Sequence, residues 1–350
     1  MPIRLRRVIF AALGIFALRP LAAQGYAVGA DVSFLARCEE DGQVFKGDGK
    51  PVDVLDLLRE HHYNWVRLRI FHDASAAPDH LPNDLDYTLA LAKRAKAAGF
   101  HVLLDFHYSD SWADPGKQPT PAAWTGLTHK QLVKQVFGYT RDTIARFAVA
   151  GVMPDIVQIG NEVTNGMLWP DGKLPANWDH FTDLLKAGMR GVNAGRGSAP
   201  KPQIMIHIER SGDLAAAVSF LDNLEARHVR FDVLGLSYYP RWHGRVATMR
   251  KNLRELAQRY HHPIIVVETA YDWTPHDFAG KVAEFPESPE GQLAFLRAVD
   301  AAVRAVPDGL GRGVFWWEPA AEGGLRDRSF FDTQGNVLPA ITAFDATNPP

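Results

Sequence analysis

Two glutamates each follow directly on an apolar run. Ile156, Val157 and Ile159 lead through Gly160 and Asn161 to Glu162, and Ile264 to Val267 lead to Glu268. A carboxylate at that position is exposed at the end of its strand, and in a (β/α)8 barrel such ends build the active site. A pair of carboxylates on one rim is what retaining cleavage of a glycosidic bond needs. The leaving oxygen must be protonated, so one acid has to hold its proton near neutral pH, which burial beside other carboxylates favours. Glu162 suits that role, and its neighbour Asn161 can hydrogen-bond a sugar 2-hydroxyl. Glu268 is then the nucleophile and must be ionised. Arg67 or Arg69, at the end of an earlier strand, can supply the positive charge, and Tyr238 or Tyr239 a phenolic hydrogen bond. His107 and His207 also follow apolar strands and are expected to hydrogen-bond substrate or orient a carboxylate. Asp105, inside a strand, reads as a structural partner for an interior Arg or His. Arg67 and Arg69 can also be read as interior ion pairs.

These residues need elements to carry them. Eight apolar runs alternate with helical patterns: 26–33, 65–71, 101–108, 156–159, 203–208, 233–239, 263–271 and 313–318 as strands. Helical spacing covers 52–62, 83–98, 128–150, 178–193, 214–228, 246–260 and 290–306. Strand and helix in alternation argue a parallel sheet, and eight repeats closing on themselves give a single-domain α/β fold, the (β/α)8 TIM barrel. A doubly wound open sheet is the competitor, but no Gly-rich phosphate loop follows an early strand.

Composition narrows the partners. With 46% hydrophobic and 22% charged residues over 350 positions, the chain is ordinary globular protein, long enough for one barrel. Its formal net charge of −2 gives no basic field for nucleic acid. The nine Trp include several in loops, where a group near strand ends suits stacking on sugar rings. Residues 1–24 read as an export signal: Arg4, Arg6 and Arg7, then Val8 to Leu18, too short to span a bilayer, then a small-residue site at Ala22 and Ala23. Residues 25–350 are then the catalytic domain, with no membrane contact after cleavage. Cys38, the single cysteine, excludes an internal disulfide and is expected at the start of a polar loop. No metal-spaced Cys/His cluster is visible.

Several stretches carry a family resemblance. IGNE (159–162), VVET (266–269) and WWEPA (316–320) resemble the clan of retaining (β/α)8 glycosidases. GADVSFL (29–35), DLDYTLALAKRAKAAGF (84–100), DFHYSDSWADPGKQPTPAAW (105–124), IGNEVTNGMLWPDG (159–172), KPQIMIHI (201–208) and LGLSYYPRWHG (234–244) narrow this to the endo-β-1,4-galactanases of glycoside hydrolase family 53. The resemblance implies retaining endo-hydrolysis of β-1,4-galactan, the polysaccharide partner, with Glu162 as acid/base and Glu268 as nucleophile. It also implies substrate-groove positions at Arg67, His107, Asp110, Trp112, Asn161, His207, Tyr238 and Trp317. Trp112 and Trp169 are expected to stack on sugars. Some bacterial members bind calcium in extended loops after strands seven and eight. Here 272–289 and 319–332 are short, so no metal and no cofactor are expected. A groove enzyme of this size is expected to act as a monomer.

Three alternatives stay open. Another β-glycanase of the clan, a mannanase or cellulase, differs only in substrate. A non-catalytic carbohydrate-binding barrel would not need both glutamates. A metal-dependent barrel hydrolase would need clustered His such as a His-x-His pair on strand one, which has no His.

Overall fold

In the computed structural model, residues 25–345 are described apart from 78, 80, 277, 279–282 and 322. The expected export signal, 1–24, lies outside the described residues. Eight strands close a parallel barrel: β1 (Ala27–Asp31), β2 (Trp65–Ile70), β3 (His101–Phe106), β4 (Ile156–Ile159), β5 (Gln203–Ile208), β6 (Val233–Tyr238), β7 (Ile264–Thr269) and β8 (Gly311–Trp317). Each pairs with its neighbours in sequence, and β8 returns to β1 with Ala27 opposite Gly313. Helices follow the first seven: α1 (Val54–Glu60), α2 (Leu85–Ala97), α3 (His129–Val149), α4 (Trp178–Gly195), α5 (Leu214–Ala226), α6 (Val246–Tyr260) and α7 (Pro289–Arg304). After β8 a 3-10 segment, Pro339–Phe344, packs in the eighth place. Among the described residues no helix is long and apolar enough to cross a membrane.

The helices start where side-chain oxygens meet free backbone N–H groups. Asp53, Asp84, Asp213 and Ser288 accept from the first turns of α1, α2, α5 and α7. The helices α3 and α4 approach very closely. A Cβ on Gly191 would stand 2.8 Å from the Phe137 carbonyl, and one on Gly195 2.3 Å from that of Arg141. Both helices leave the same rim of the barrel and run the same way, so their N-terminal turns lie side by side.

Strand periodicity divides the barrel interior into layers. At the N-terminal end every strand contributes to an apolar plug: Ala27, Trp65, Leu103, Ile156, Met205, Val233, Ile265 with Val267, and Phe315. Phe315 lies against Gly29, where a Cβ would come within 2.3 Å of the ring. Two residues further along, the same inward faces carry Arg67, Asp105, Gln158 and His207, and four further along Asp31 and Ser237, all buried.

The strand β7 breaks the alternation. Leu236 pairs with Val266 but Ser237 with Glu268, and Val266 pairs with Val314 but Thr269 with Trp316. The extra residue is a β-bulge, which re-aims the chain beyond it. Val267 and Glu268 therefore both face inward, one into the plug and one above it.

Several short elements lie beyond the sequence reading. The segment after β1 forms a short helix, Leu35–Glu40, and Cys38 is buried on it, not placed in a polar loop. Two-residue strands make two small hairpins, Lys46–Gly47 with Lys50–Pro51 and Gly166–Met167 with Gly172–Lys173. A four-residue helix, Pro240–His243, follows β6.

Candidate active site

The C-terminal ends of the strands surround a cleft of about 600 Å³. Arg67, Arg69, His107, Trp112, Asn161, Glu162, Glu209, Tyr239, Trp242, His243, Glu268 and Trp317 are among its walls. A second hollow of about 630 Å³ continues past Trp112 and Trp317 toward Phe34, Leu81 and Leu325. The two together make an elongated groove with Trp112 and Trp317 at its waist, ring centres 6.1 Å apart.

Glu162 reaches the cleft because the backbone turns sharply after β4. Gly160 has φ 81° and Glu162 φ 48°, the left-handed region that costs energy for a residue with a Cβ. The neighbouring loop holds the turn in place: Gln118 Nε2 donates to the Asn161 carbonyl at 2.8 Å, and Asn161 Nδ2 to that of Ala113 at 2.9 Å. Asn161 and Glu162, adjacent in sequence, thereby both face the cleft.

Beneath them lies a buried charge network centred on Arg67. Its guanidinium donates to Asp31 at 2.7 Å, to Asp105 at 2.8 Å and to Asn161 Oδ1 at 2.8 Å, and lies 3.1 Å from Glu268 Oε2. Burial alone would weaken that charge. Asp105, Glu268 and Asp31 more than restore it, so Arg67 stays a cation. Burial pushes Asp105 up, but Arg67 and His107 reverse this and hold it below the usual carboxylate range. His207 has no exposure, and burial with the nearby Arg67 holds it well below the usual imidazole range. It is a neutral ring whose Nε2–H donates to Ser237 Oγ at 2.8 Å and whose Nδ1 accepts from Gln158 Nε2 at 3.2 Å.

The two glutamates sit in different surroundings. Glu162 and Glu268 keep only 9% and 7% exposure, so desolvation raises both. At Glu162 the charge of Glu268 adds to that rise, and the hydrogen bond donated by Ser237 Oγ, 2.5 Å away, opposes it. Its carboxyl is held well above the usual range. At Glu268 the Arg67 guanidinium and the Tyr239 hydroxyl, which donates at 2.7 Å, counter burial directly. The surroundings thus favour the proton on Glu162 and the charge on Glu268, the division of labour that paired acid chemistry requires.

Arg69 serves a different pair. It contacts Glu318 and lies over the rings of Phe34 and Trp112, 4.2 and 4.6 Å from their centres. Burial pushes Glu318 up to about 8 despite that contact. The charge beside Glu268 is therefore supplied by Arg67.

The structure brings Arg67, His107, Trp112, Asn161, Glu162, Glu268 and Trp317 into the cleft. Four expected groove residues lie elsewhere. Tyr238 alternates with Ser237 and Tyr239, so it points outward, fully buried, and stacks on Phe295 of α7 at 6.0 Å. Its neighbour Tyr239 makes the phenolic bond. Asp110 ties loops together, accepting from the N–H groups of Asp73 at 3.1 Å and Ala122 at 2.7 Å and contacting His72. Trp169 stands outside the cleft walls, its indole N–H donated to the Asn165 carbonyl and its face covered by Lys173 at 4.3 Å. His207 lies below the floor and acts through Ser237.

The sequence reading missed Glu209, Trp242 and His243 as cleft residues. Glu209 directly follows β5, the signal that picked out Glu162, and burial raises its carboxyl. Trp242 and His243 sit on the short helix after β6. No periodicity announces that helix.

Fold and cleft together are those of a barrel glycoside hydrolase. The sequence profile of Glycosyl hydrolase family 53 matches residues 27–344, and the chain belongs to that family. It is 42% identical over 318 residues to an uncharacterized protein in the bgaB 5′ region of Niallia circulans, covering 86% of this chain and 85% of that one. It is 37% identical over 347 residues to an arabinogalactan endo-beta-1,4-galactanase of Cellvibrio japonicus, covering 91% of this chain and 90% of that one. Among solved structures, the Ignisphaera aggregans GH53 catalytic domain superposes with a TM-score of 0.83 at 35% identity, over 91% of this chain and 95% of that one.

Proposed function

We propose that the enzyme hydrolyses internal β-1,4-galactosidic links of galactan or type I arabinogalactan, with retention of anomeric configuration. The observation that carries the reading is the asymmetry of the two cleft carboxyls, one held by Arg67 and Tyr239 and the other by Ser237 with the charges of Glu268 and Glu209 nearby. The Cellvibrio relative's substrate supports galactan as this chain's own.

In the first step Glu162 gives its proton to the glycosidic oxygen while Glu268 attacks the anomeric carbon. The C–O bond to the leaving sugar breaks, and a covalent glycosyl ester forms on Glu268. Glu162, now ionised, then takes a proton from water, whose oxygen attacks the same carbon and frees Glu268. This mechanism needs the carboxyls roughly 5 Å apart. As the ester forms, Glu268 loses its charge, and Arg67 keeps its bonds to Asp31, Asp105 and Asn161. That loss lets Glu162 ionise more readily for the second step. Asn161, held by Arg67 and the Ala113 carbonyl, presents an amide to the sugar next to the reacting carbon. Trp112 and Trp317 supply flat apolar faces at the groove's waist. The groove runs on past both, as endo-action requires. The basic, then apolar, N-terminal sequence supports export, and the modest net charge gives nucleic acid no purchase.

Linear galactan digested with the enzyme and followed by proton NMR tests substrate, endo-action and stereochemistry together. The expected first product is a mixture of long oligosaccharides carrying the β-anomer. An initial α-anomer excludes retention. Preferred cleavage of mannan or carboxymethylcellulose excludes galactan.

A further inference from the structure

Among the described residues, one cluster of ligating side chains stands apart from the cleft. His129 opens α3, His180 lies in the first turn of α4, and Asp171 sits on the loop between β4 and α4. The Nδ1 atoms of both rings meet the one carboxylate, His129 on Oδ2 at 2.7 Å and His180 on Oδ1 at 3.1 Å. The rings lie face to face, 3.8 Å apart and within 9° of parallel. The two helices that carry them also pack closely further along, at Gly191 and Gly195. All candidate ligand atoms fall within 4.8 Å of one another.

We propose that His129, Asp171 and His180 form a binding site for a divalent transition ion of the zinc type. Two imidazole nitrogens and a carboxylate are the donors such ions take, whereas calcium and magnesium prefer all-oxygen sets. Ligands around a tetrahedral zinc lie about 3.3 Å apart, so the two carboxylate–imidazole spacings need to open by only a few tenths of an ångström, and the ring nitrogens, within 4.8 Å of each other, close on the ion. An outer carboxylate of the kind metal-ligating histidines use stands near His129, whose Nε2 makes no hydrogen bond in the structure. That nitrogen lies 3.5 Å from Asp183 Oδ2, where a carboxylate can take the second ring proton and fix the ligating tautomer. A bound ion ties the β4–α4 loop, which starts at the Glu162 turn, to the N-terminal turns of two helices. The sequence hides this site because Asp171 is 42 positions from His129 and 9 from His180, and only the tertiary packing joins them.

The test is calorimetric titration of the untagged, chelator-treated enzyme with zinc chloride, and separately with calcium chloride. One saturable equivalent of zinc is expected, with no comparable calcium isotherm. His180→Ala and Asp171→Asn should each weaken zinc binding by at least about tenfold, the scale on which even outer partners of a metal site act. Zinc should raise the melting temperature of the parent but not of His180→Ala, and circular dichroism of each variant checks that it is folded. Because His180 is half exposed, its replacement leaves the core untouched. No saturable zinc binding by the parent, or unchanged binding in both variants, overturns the site and leaves a hydrogen-bonded cluster only.

Discussion

The two ends of the barrel interior are built from the same eight strands and the same alternation, yet they behave oppositely. The lower layer, Ala27, Trp65, Leu103, Ile156, Met205, Val233, Ile265, Val267 and Phe315, is apolar and packed. The upper layer, Asp31, Arg67, Asp105, Gln158, His207 and Ser237, is equally buried but polar. The lower layer gains its stability from surface removed from water. In the upper one, desolvated charges are tolerable only because nearly every donor and acceptor has a partner. Stability is concentrated below and reactivity above, and substitutions should separate the two.

The sharpest separation comes from the two glutamates. Glu268→Ala should lower galactan turnover on the order of 10⁴-fold or more while sugar binding, read by calorimetry, persists. Glu162→Ala should cost about 10² to 10⁴-fold, and far less on substrates whose leaving group needs no proton. An unchanged rate in Glu268→Ala eliminates that residue as nucleophile.

Arg67→Met tests whether the upper layer depends on one cation. It leaves Asp31, Asp105 and Glu268 without their common partner, so a loss of about 3–5 kcal/mol in denaturant unfolding is expected, together with lost activity. Phe315→Ala tests the lower layer. A similar loss, about 3–5 kcal/mol, should appear with kcat within a fewfold of the parent at temperatures where the variant stays folded. If Phe315→Ala lowers kcat as much as it lowers stability, the layers are not separable.

The smallest effects should appear in the pH profile of kcat/KM. The acidic limb reports Glu268 losing its proton and the basic limb Glu162 losing its own. Tyr239 donates to the Glu268 carboxylate and lowers its pKa, so Tyr239→Phe should move the acidic limb up. Ser237 lowers Glu162 in the same way, so Ser237→Ala should move the basic limb up. Shifts on the opposite limbs would exchange the two glutamates' roles.

The sequence by itself determined the barrel, its eight strands and the two strand-end glutamates. Apolar runs of strand length alternating with helical spacing have one economical closure, and a carboxylate after such a run has nowhere to go but the rim. The charge on Arg67 and the possibility of a phenolic donor after β6 were also legible. Tertiary structure alone decided which arginine and which tyrosine serve Glu268. A single inserted residue in β7 puts Glu268 on the inward face beside Val267, and the strand parity of β6 sends Tyr238 outward and Tyr239 inward. Contacts across the barrel, such as Arg67 with Asn161 or His207 with Ser237, join residues 94 and 30 positions apart. No local pattern encodes them, because bulges and long-range pairings are set by closure of the sheet and not by the propensity of any one segment.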